Sequence, residues 1–291
     1  MKDTLFESKR NWINEQLEKS VSNLNLPLEL NEALIYTIEA GGKRLRPILM
    51  LSTFQAFGEV NNKVIEPAIA LEMIHTYSLV HDDLPSMDDD DLRRGNPTIH
   101  KKFDEATAVL IGDGLLTYAF QIISGSSNLG AEEKVYIIHQ LSKASGFEGM
   151  IAGQFMDLRG EGKELEESDL TAIHQKKTGE LISASVKIGA YLGGANPPQI
   201  EALNDYAEHL GLIFQIQDDI LDVKGKEEVI GKPVGSDEAL NKSTYPKIIG
   251  LAGAEKKRDD CMVEAKEAYS RANIHQPELL SFIDLFGNRM F

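Results

Sequence analysis

Hydrophobic positions recur along nearly the whole chain at helical spacing. Ile13, Leu17, Val21 and Leu24 follow one another at intervals of four, four and three, which puts them on one face of an amphipathic helix. The stretch EPAIALEMIHTYSLVH, from Glu66 to His81, is apolar around most of its circumference and predicts a central helix with little exposed surface. ATAVLIGDGLLTYAFQII, from Ala106 to Ile123, predicts a second helix buried in the same way. Ser168 is placed to cap a long helix that Gly193 and Gly194 would stop. Pro197 and Pro198 suit the first turn of the next helix, which runs to about Asp222. Strand-like alternation is scarce. There is no βαβ rhythm, no GxGxxG and no Walker-type loop, which argues against a nucleotide-binding α/β fold. Loops are expected at 159–167 and 223–246. No linker or fixed repeat divides the chain, so the expectation is one all-α domain over residues 1–291.

Charge narrows the partners. The formal net charge is −16, which argues against nucleic acid or an anionic membrane surface. No apolar run reaches the length of a membrane span, and MKDTLFESKRNW lacks a signal-peptide core. A single cysteine, Cys261, forms no intramolecular disulfide and fits a reducing cytoplasm. The expectation is a soluble cytoplasmic protein.

One stretch breaks the helical monotony: HDDLPSMDDDDLRRG, His81 to Gly95. Six of the ten residues from Asp82 to Asp91 are aspartate, and Arg93 and Arg94 reverse the sign. Alone, such a run most often lies on a solvated face. A second cluster changes that weighting. FQIQDDILD, Phe214 to Asp222, closes a predicted helix, and Asp218 and Asp222 share a face with Gln215. Three carboxylates in about 1.2 turns among apolar neighbours call for a counter-charge. With no cysteine nearby and no histidine pair at ligand spacing, they suit a hard ion, Mg²⁺ or Ca²⁺. The EF-hand pattern is absent, and Mg²⁺ completes its shell with water and phosphate oxygens. The two clusters, 136 residues apart, are expected to hold a metal-bound diphosphate between them.

Cations stand where that reading needs them. GGKRLRP puts Lys43, Arg44 and Arg46 at a helix start, with Pro47 at its first position. Lys176, Lys177, Thr178 and Gly179 form a second phosphate-competent group, and Lys232 lies in the long loop. Each motif alone is mostly chance; their joint occurrence carries the signal.

In this combination the chain resembles the trans-prenyltransferases, the head-to-tail isoprenyl diphosphate synthases. From about Leu34 to Pro246 it carries GGKRLRP, the DDxxxxD motif of Asp82 to Asp88, RRG, GQxxDL, KTG, FQxxDDxxD and NKSTYP, in family order. The two-residue insertion Pro85-Ser86 resembles that of the bacterial farnesyl type and of some geranylgeranyl synthases, and the overall match is most like the bacterial farnesyl type. The resemblance implies a large helical bundle of the isoprenoid synthase type with a deep central cavity. It also implies a homodimer.

It implies residue roles as well. Asp82 and Asp88, with Asp83, would hold two Mg²⁺ on the allylic diphosphate. Asp218, supported by Asp219 and Asp222, would hold a third. Arg93, Lys177 and Lys232 would contact that diphosphate. Lys43, Arg46, His75 and Arg94 would bind isopentenyl diphosphate. Thr178 and Gln215 would turn their oxygens toward the developing carbocation. Tyr77, five residues before Asp82, would floor the product tunnel, although helical arithmetic alone puts Ser78 beneath Asp82. Without the resemblance, His75 reads better as a core histidine, and Tyr77 also suits an ordinary core position. The implied reaction joins isopentenyl diphosphate to dimethylallyl or geranyl diphosphate to give a fifteen-carbon product. The alternatives are a twenty-carbon, geranylgeranyl product and a non-catalytic regulatory subunit. Arg289, near the C-terminus, matches the family's basic tail less well.

Overall fold

The computed structural model describes residues 2–224 and 243–289, with side chains from Phe6 onward. It is helical almost throughout, as the apolar spacing predicts. The chain divides into two units, one of residues 1–51 and 60–138, the other of residues 52–59 and 139–291.

The first unit contains α1 (Lys2–Val21), α2 (Leu28–Glu39), the start of α3 (Leu45–Gln55), a 3₁₀ turn (Asn62–Val64), α4 (Ile65–Asp82), α5 (Ile99–Lys102), α6 (Glu105–Gly125) and the start of α7 (Ala131–Ser145). A small hairpin pairs β1 (Leu92–Arg93) with β2 (Asn96–Pro97). Ile13, Leu17 and Val21 are buried, while Leu24 lies beyond the end of α1. Helix α4 is buried on nearly every side, as its sequence predicts.

Helix α6 departs from expectation. Only the face of Ala108, Ile111, Gly112, Leu115, Ala119 and Ile123 is buried, while Val109 and Leu110 are 40% and 60% exposed. An apolar circumference shows that a helix is to be covered, not by what. Among the described residues α6 is also the one helix long and apolar enough to cross a membrane by length and composition, contrary to the sequence expectation. Glu105 and Asp113 lie along it.

The second unit contains α8 (Met150–Gly160), α9 (Glu167–His174), a π-helical turn (Gln175–Gly179), α10 (Glu180–Gly193), α11 (Pro197–Lys224), α12 (Tyr245–Ile249), α13 (Leu251–Arg271) and α14 (Pro277–Gly287). Tyr206, Leu203, Leu210 and Ile213 of α11 and Phe282 of α14 are fully buried, and Tyr206 Oη donates to the Leu279 carbonyl at 2.7 Å. Gly194 ends α10 in the left-handed conformation, φ 90°, as the Gly-Gly pair predicts. Ser168 is not the cap of α9: the helix begins one residue earlier and Glu166 holds the cap position without a side-chain hydrogen bond. Pro47 stands third in α3 rather than first, still within the turn whose N–H groups have no helical partner.

Candidate active site

Each unit carries its own set of candidate side chains. In the first unit α4 ends at Asp82. The chain then turns back, so that the Asp88 N–H donates to the Asp82 carbonyl at 2.9 Å. This closure returns the last aspartate of DDxxxxD to the helix end, and Asp89 takes a left-handed φ of 50° to continue. A helix C-terminus carries partial negative charge. Placing carboxylates there opposes stability unless a cation arrives. Asp83 is buried and ion-paired to Arg93, whose guanidinium also reaches Asp90 at 3.3 Å. Burial raises the Asp83 pKa, and Asp90 and Asp88 add to this, while Arg93 opposes it.

The hairpin after this loop is closed by Arg94 and Gly95, both with positive φ, 54° and 80°, the signature of a type I′ turn. Arg94 donates to the Gly41 carbonyl. A Cβ at Gly42 would meet the Arg94 guanidinium at 2.7 Å, so a side chain there would displace the guanidinium from its present seat. The GGKR loop and the RRG turn are thus brought together. Arg46 contacts His75 at 3.2 Å. Burial, then the charges of Arg46 and Arg94, push the His75 pKa well below its usual value. His75 is therefore neutral at pH 7: if its Nε2 accepts from Arg46, Nδ1 carries the proton and can donate.

Sequence reasoning missed the role of Arg44. It is buried, pairs with Glu72 at 2.8 Å, and donates to Asn14 Oδ1 and the Ile38 carbonyl. It ties three helices together beneath the loop rather than meeting solvent. Tyr77 is buried with its ring 5.8 Å from that of His81, and His81 Nε2 lies 3.1 Å from the Val109 carbonyl of α6. Gly112 makes room for the imidazole, since a Cβ there would collide with it. Burial, then Asp82, raises the Tyr77 pKa to about 12, so its hydroxyl stays neutral. Ser78 Oγ donates back to the His75 carbonyl.

In the second unit the organising feature is the π-helical turn QKKTG. Single π turns inside helices often mark functional positions. Two glycines let neighbouring helices close on it. A Cβ at Gly153 of α8 would collide with the backbone N of Lys177, and one at Gly211 of α11 would meet Gly179 Cα at 2.8 Å. Lys177 Nζ lies 2.7 Å from Asp157 Oδ2. Thr178 Oγ1 donates to Gln215 Oε1 at 2.8 Å, so the two residues expected near the reacting carbon are coupled to each other.

Asp218 and Asp222 stand near the C-terminal end of α11. Asp218 is half-exposed and contacts Arg289 at 2.5 Å. The Arg289 guanidinium also lies over the Phe214 ring and donates to the Phe214 carbonyl. The tail residue that matches the family less well is therefore seated on the second acidic motif. Asp219 points the other way. It is buried, its Oδ2 accepts the Tyr245 N–H at 2.9 Å and lies 3.7 Å from His174 Nε2. The STYP segment thus buttresses the motif through Tyr245, whose hydroxyl pairs with Thr171. His174 went unnoticed in the sequence because its partners lie 45 and 71 residues away. Lys232 lies outside the described residues.

The donors in both motifs are carboxylate oxygens alone, and a cation would relieve their crowded charge. They fit Mg²⁺. Asp83 and Asp219 are buried and held by Arg93 and the Tyr245 N–H, while Asp218 stays half-exposed beside Arg289.

Comparison with known proteins identifies the family. The polyprenyl synthetase family model matches residues 27–279. A farnesyl diphosphate synthase of Geobacillus stearothermophilus is 52% identical over 287 residues, spanning 96% of this chain and 97% of the relative. The Bacillus subtilis farnesyl diphosphate synthase is 44% identical over 97% of this chain and 96% of its own. A Helicobacter pylori geranyltransferase, solved with magnesium and isoprenyl diphosphate, superposes with a TM-score of 0.81 at 35% identity, covering 97% of this chain and 96% of that one. The chain belongs to the polyprenyl synthetase family.

Proposed function

We propose that the chain joins isopentenyl diphosphate head to tail with dimethylallyl and then geranyl diphosphate, releasing farnesyl diphosphate. The observation that carries this reading is the crowding of carboxylates at Asp82, Asp83 and Asp88, where α4 ends, and at Asp218, Asp219 and Asp222 along α11, each set short of counter-charge. The names of the relatives support the fifteen-carbon product.

Asp82 and Asp88, with Asp83 behind them, would hold Mg²⁺ in one unit; Asp218, with Asp219 and Asp222, would do so in the other, three ions in all. When bound, the metal supplies positive charge that eases departure of the allylic diphosphate. Arg93, Lys177 and Lys232 are assigned to that diphosphate, and Lys43, Arg46, Arg94 and neutral His75 to isopentenyl diphosphate. Thr178 spends its proton on Gln215, so its own oxygen is left presenting lone pairs, suited to a developing carbocation. No side-chain base is assigned: the proton lost after condensation goes to the departed diphosphate. Buried Tyr77 is assigned to limit chain length, with Ser78 beside it.

The family resemblance to a homodimer has one support in this structure, the uncovered apolar face of α6. Cytoplasmic location is the corresponding proposal for a chain of net charge −16.

The test is a product assay: purified protein, isopentenyl diphosphate and dimethylallyl or geranyl diphosphate, with and without Mg²⁺. A Mg²⁺-dependent fifteen-carbon product is expected, and Tyr77→Ala is expected to lengthen it. A twenty-carbon product from the parent would move the tunnel floor away from Tyr77. No product at all would favour a regulatory subunit.

A further inference from the structure

Nine residues before Asp218, α11 carries His209, about 13.5 Å back along the helix axis at 1.5 Å per residue. It faces α13, where Cys261 and Glu264 stand three residues apart on one face. The ligand atoms of His209, Cys261 and Glu264 all lie within 4.8 Å of one another. His209 Nδ1 is already 3.2 Å from Glu264 Oε2. That nitrogen is itself buried, yet makes no hydrogen bond. An unmade bond at a buried ring nitrogen is costly, and a carboxylate at this range would normally orient to accept one. The arrangement gathers an imidazole nitrogen, a sulfur and a carboxylate oxygen within 4.8 Å of one another.

We propose that His209, Cys261 and Glu264 form a transition-metal site, selective for Zn²⁺ over Mg²⁺, that clips α11 to α13 apart from the aspartate motifs. A mixed nitrogen, sulfur and oxygen set suits zinc, whereas Mg²⁺ prefers oxygen alone. Tetrahedral zinc with bonds of about 2.0–2.3 Å puts its ligand atoms about 3.4–3.6 Å apart. The histidine and glutamate are already that close, and the cysteine, within 4.8 Å of both, has at most about 1.4 Å to close. Three protein ligands leave the fourth position to water. Binding converts the Cys261 thiol to thiolate and releases its proton to solvent. Burial, then Glu264, raises the free thiol pKa to about 11. The thiol stays protonated through the neutral range, so binding displaces one proton throughout and metal affinity rises as proton activity falls. The clip would hold the helix that presents Asp218 and Asp222.

Cobalt(II) is the probe, because a thiolate ligand gives a sulfur-to-cobalt charge-transfer band that carboxylates cannot. The full-length protein is titrated with Co²⁺ in excess Mg²⁺, which occupies the aspartate motifs. The expected result is a charge-transfer band saturating at one Co²⁺ per chain and bleached by Zn²⁺. Cys261→Ser should abolish it. Altering second-shell partners of metal sites costs 10–100-fold in affinity, so loss of a direct ligand in His209→Ala should weaken Co²⁺ by about a hundredfold or more. His209 and Glu264 are partly exposed, so their substitution leaves folding intact, checked by far-ultraviolet circular dichroism. Absence of the band in the parent protein overturns the proposal. So does a band whose affinity is unchanged in both His209→Ala and Glu264→Gln.

Discussion

At the scale of single residues, the charges that look alike in the sequence divide into two classes. Arg44 and Arg46 are two positions apart in one basic run, yet Arg44 is buried against Glu72 while Arg46 contacts neutral His75. Removing one member of a buried ion pair leaves the other charge desolvated, at a cost of about 3–5 kcal/mol. Arg44→Met is therefore expected to lower the urea midpoint strongly, with Glu72 the group left unpaired. The double variant Arg44→Met/Glu72→Leu should recover most of that loss, as paired removal leaves no orphaned charge. Equal loss in single and double variants would assign the effect to the Asn14 and Ile38 contacts instead. This distinction was not legible in the chain. Glu72 lies in an apolar helix 28 residues away, and no local pattern links it to Arg44. The aspartate motifs were legible, because carboxylates crowded beside apolar residues are improbable without a cation. The burial of Asp83 and Asp219 was not, since it depends on the distant partners Arg93 and Tyr245.

At the scale of elements, helices were readable wherever burial repeats with helical spacing, as in α4 and α11. The π turn at Gln175–Gly179 was not, because one extra residue in a turn leaves the surrounding apolar pattern almost unchanged. The glycines that accommodate it are better indicators. Gly153 sits in a helix interior, where glycine costs about 1 kcal/mol relative to alanine, and the structure shows what that cost permits: close approach of α8 to the Lys177 backbone. Gly153→Ala should push the turn away and shift Lys177 and Thr178 together. The expected outcome is at least a tenfold fall in kcat, as a displacement of about 1 Å at a reacting centre can cost a hundredfold, with helicity retained. Gly125→Ala, at a glycine with open space around its Cβ position, serves as the comparison and should leave kcat near that of the parent. A similar kcat for Gly153→Ala would separate the π turn from catalysis.

At the scale of the whole molecule, α6 is the element that a single chain leaves unfinished. Leu110 is exposed and Gly114, one turn on, has no atom within 4 Å of its Cβ position. A mid-helix glycine without a neighbour carries the usual helix penalty and nothing in its own unit repays it. An apolar groove continues from this face along Leu24, Leu26 and Leu30. A two-fold interface brings the same patch from both copies together, and a small residue at the crossing lets two α6 helices approach closely. A second copy covering this face accounts for both the leucine and the glycine. Placing a charge at the centre of such a contact sets two like charges against each other across the axis, in a desolvated position. Leu110→Glu is therefore expected to shift the protein from dimer to monomer at micromolar concentration in sedimentation velocity. Val135→Glu, at a residue 68% exposed on α7, should leave the dimer intact. A parent protein that sediments as a monomer, or a Leu110→Glu variant that stays dimeric, would mean that α6 is not the face on which two copies meet.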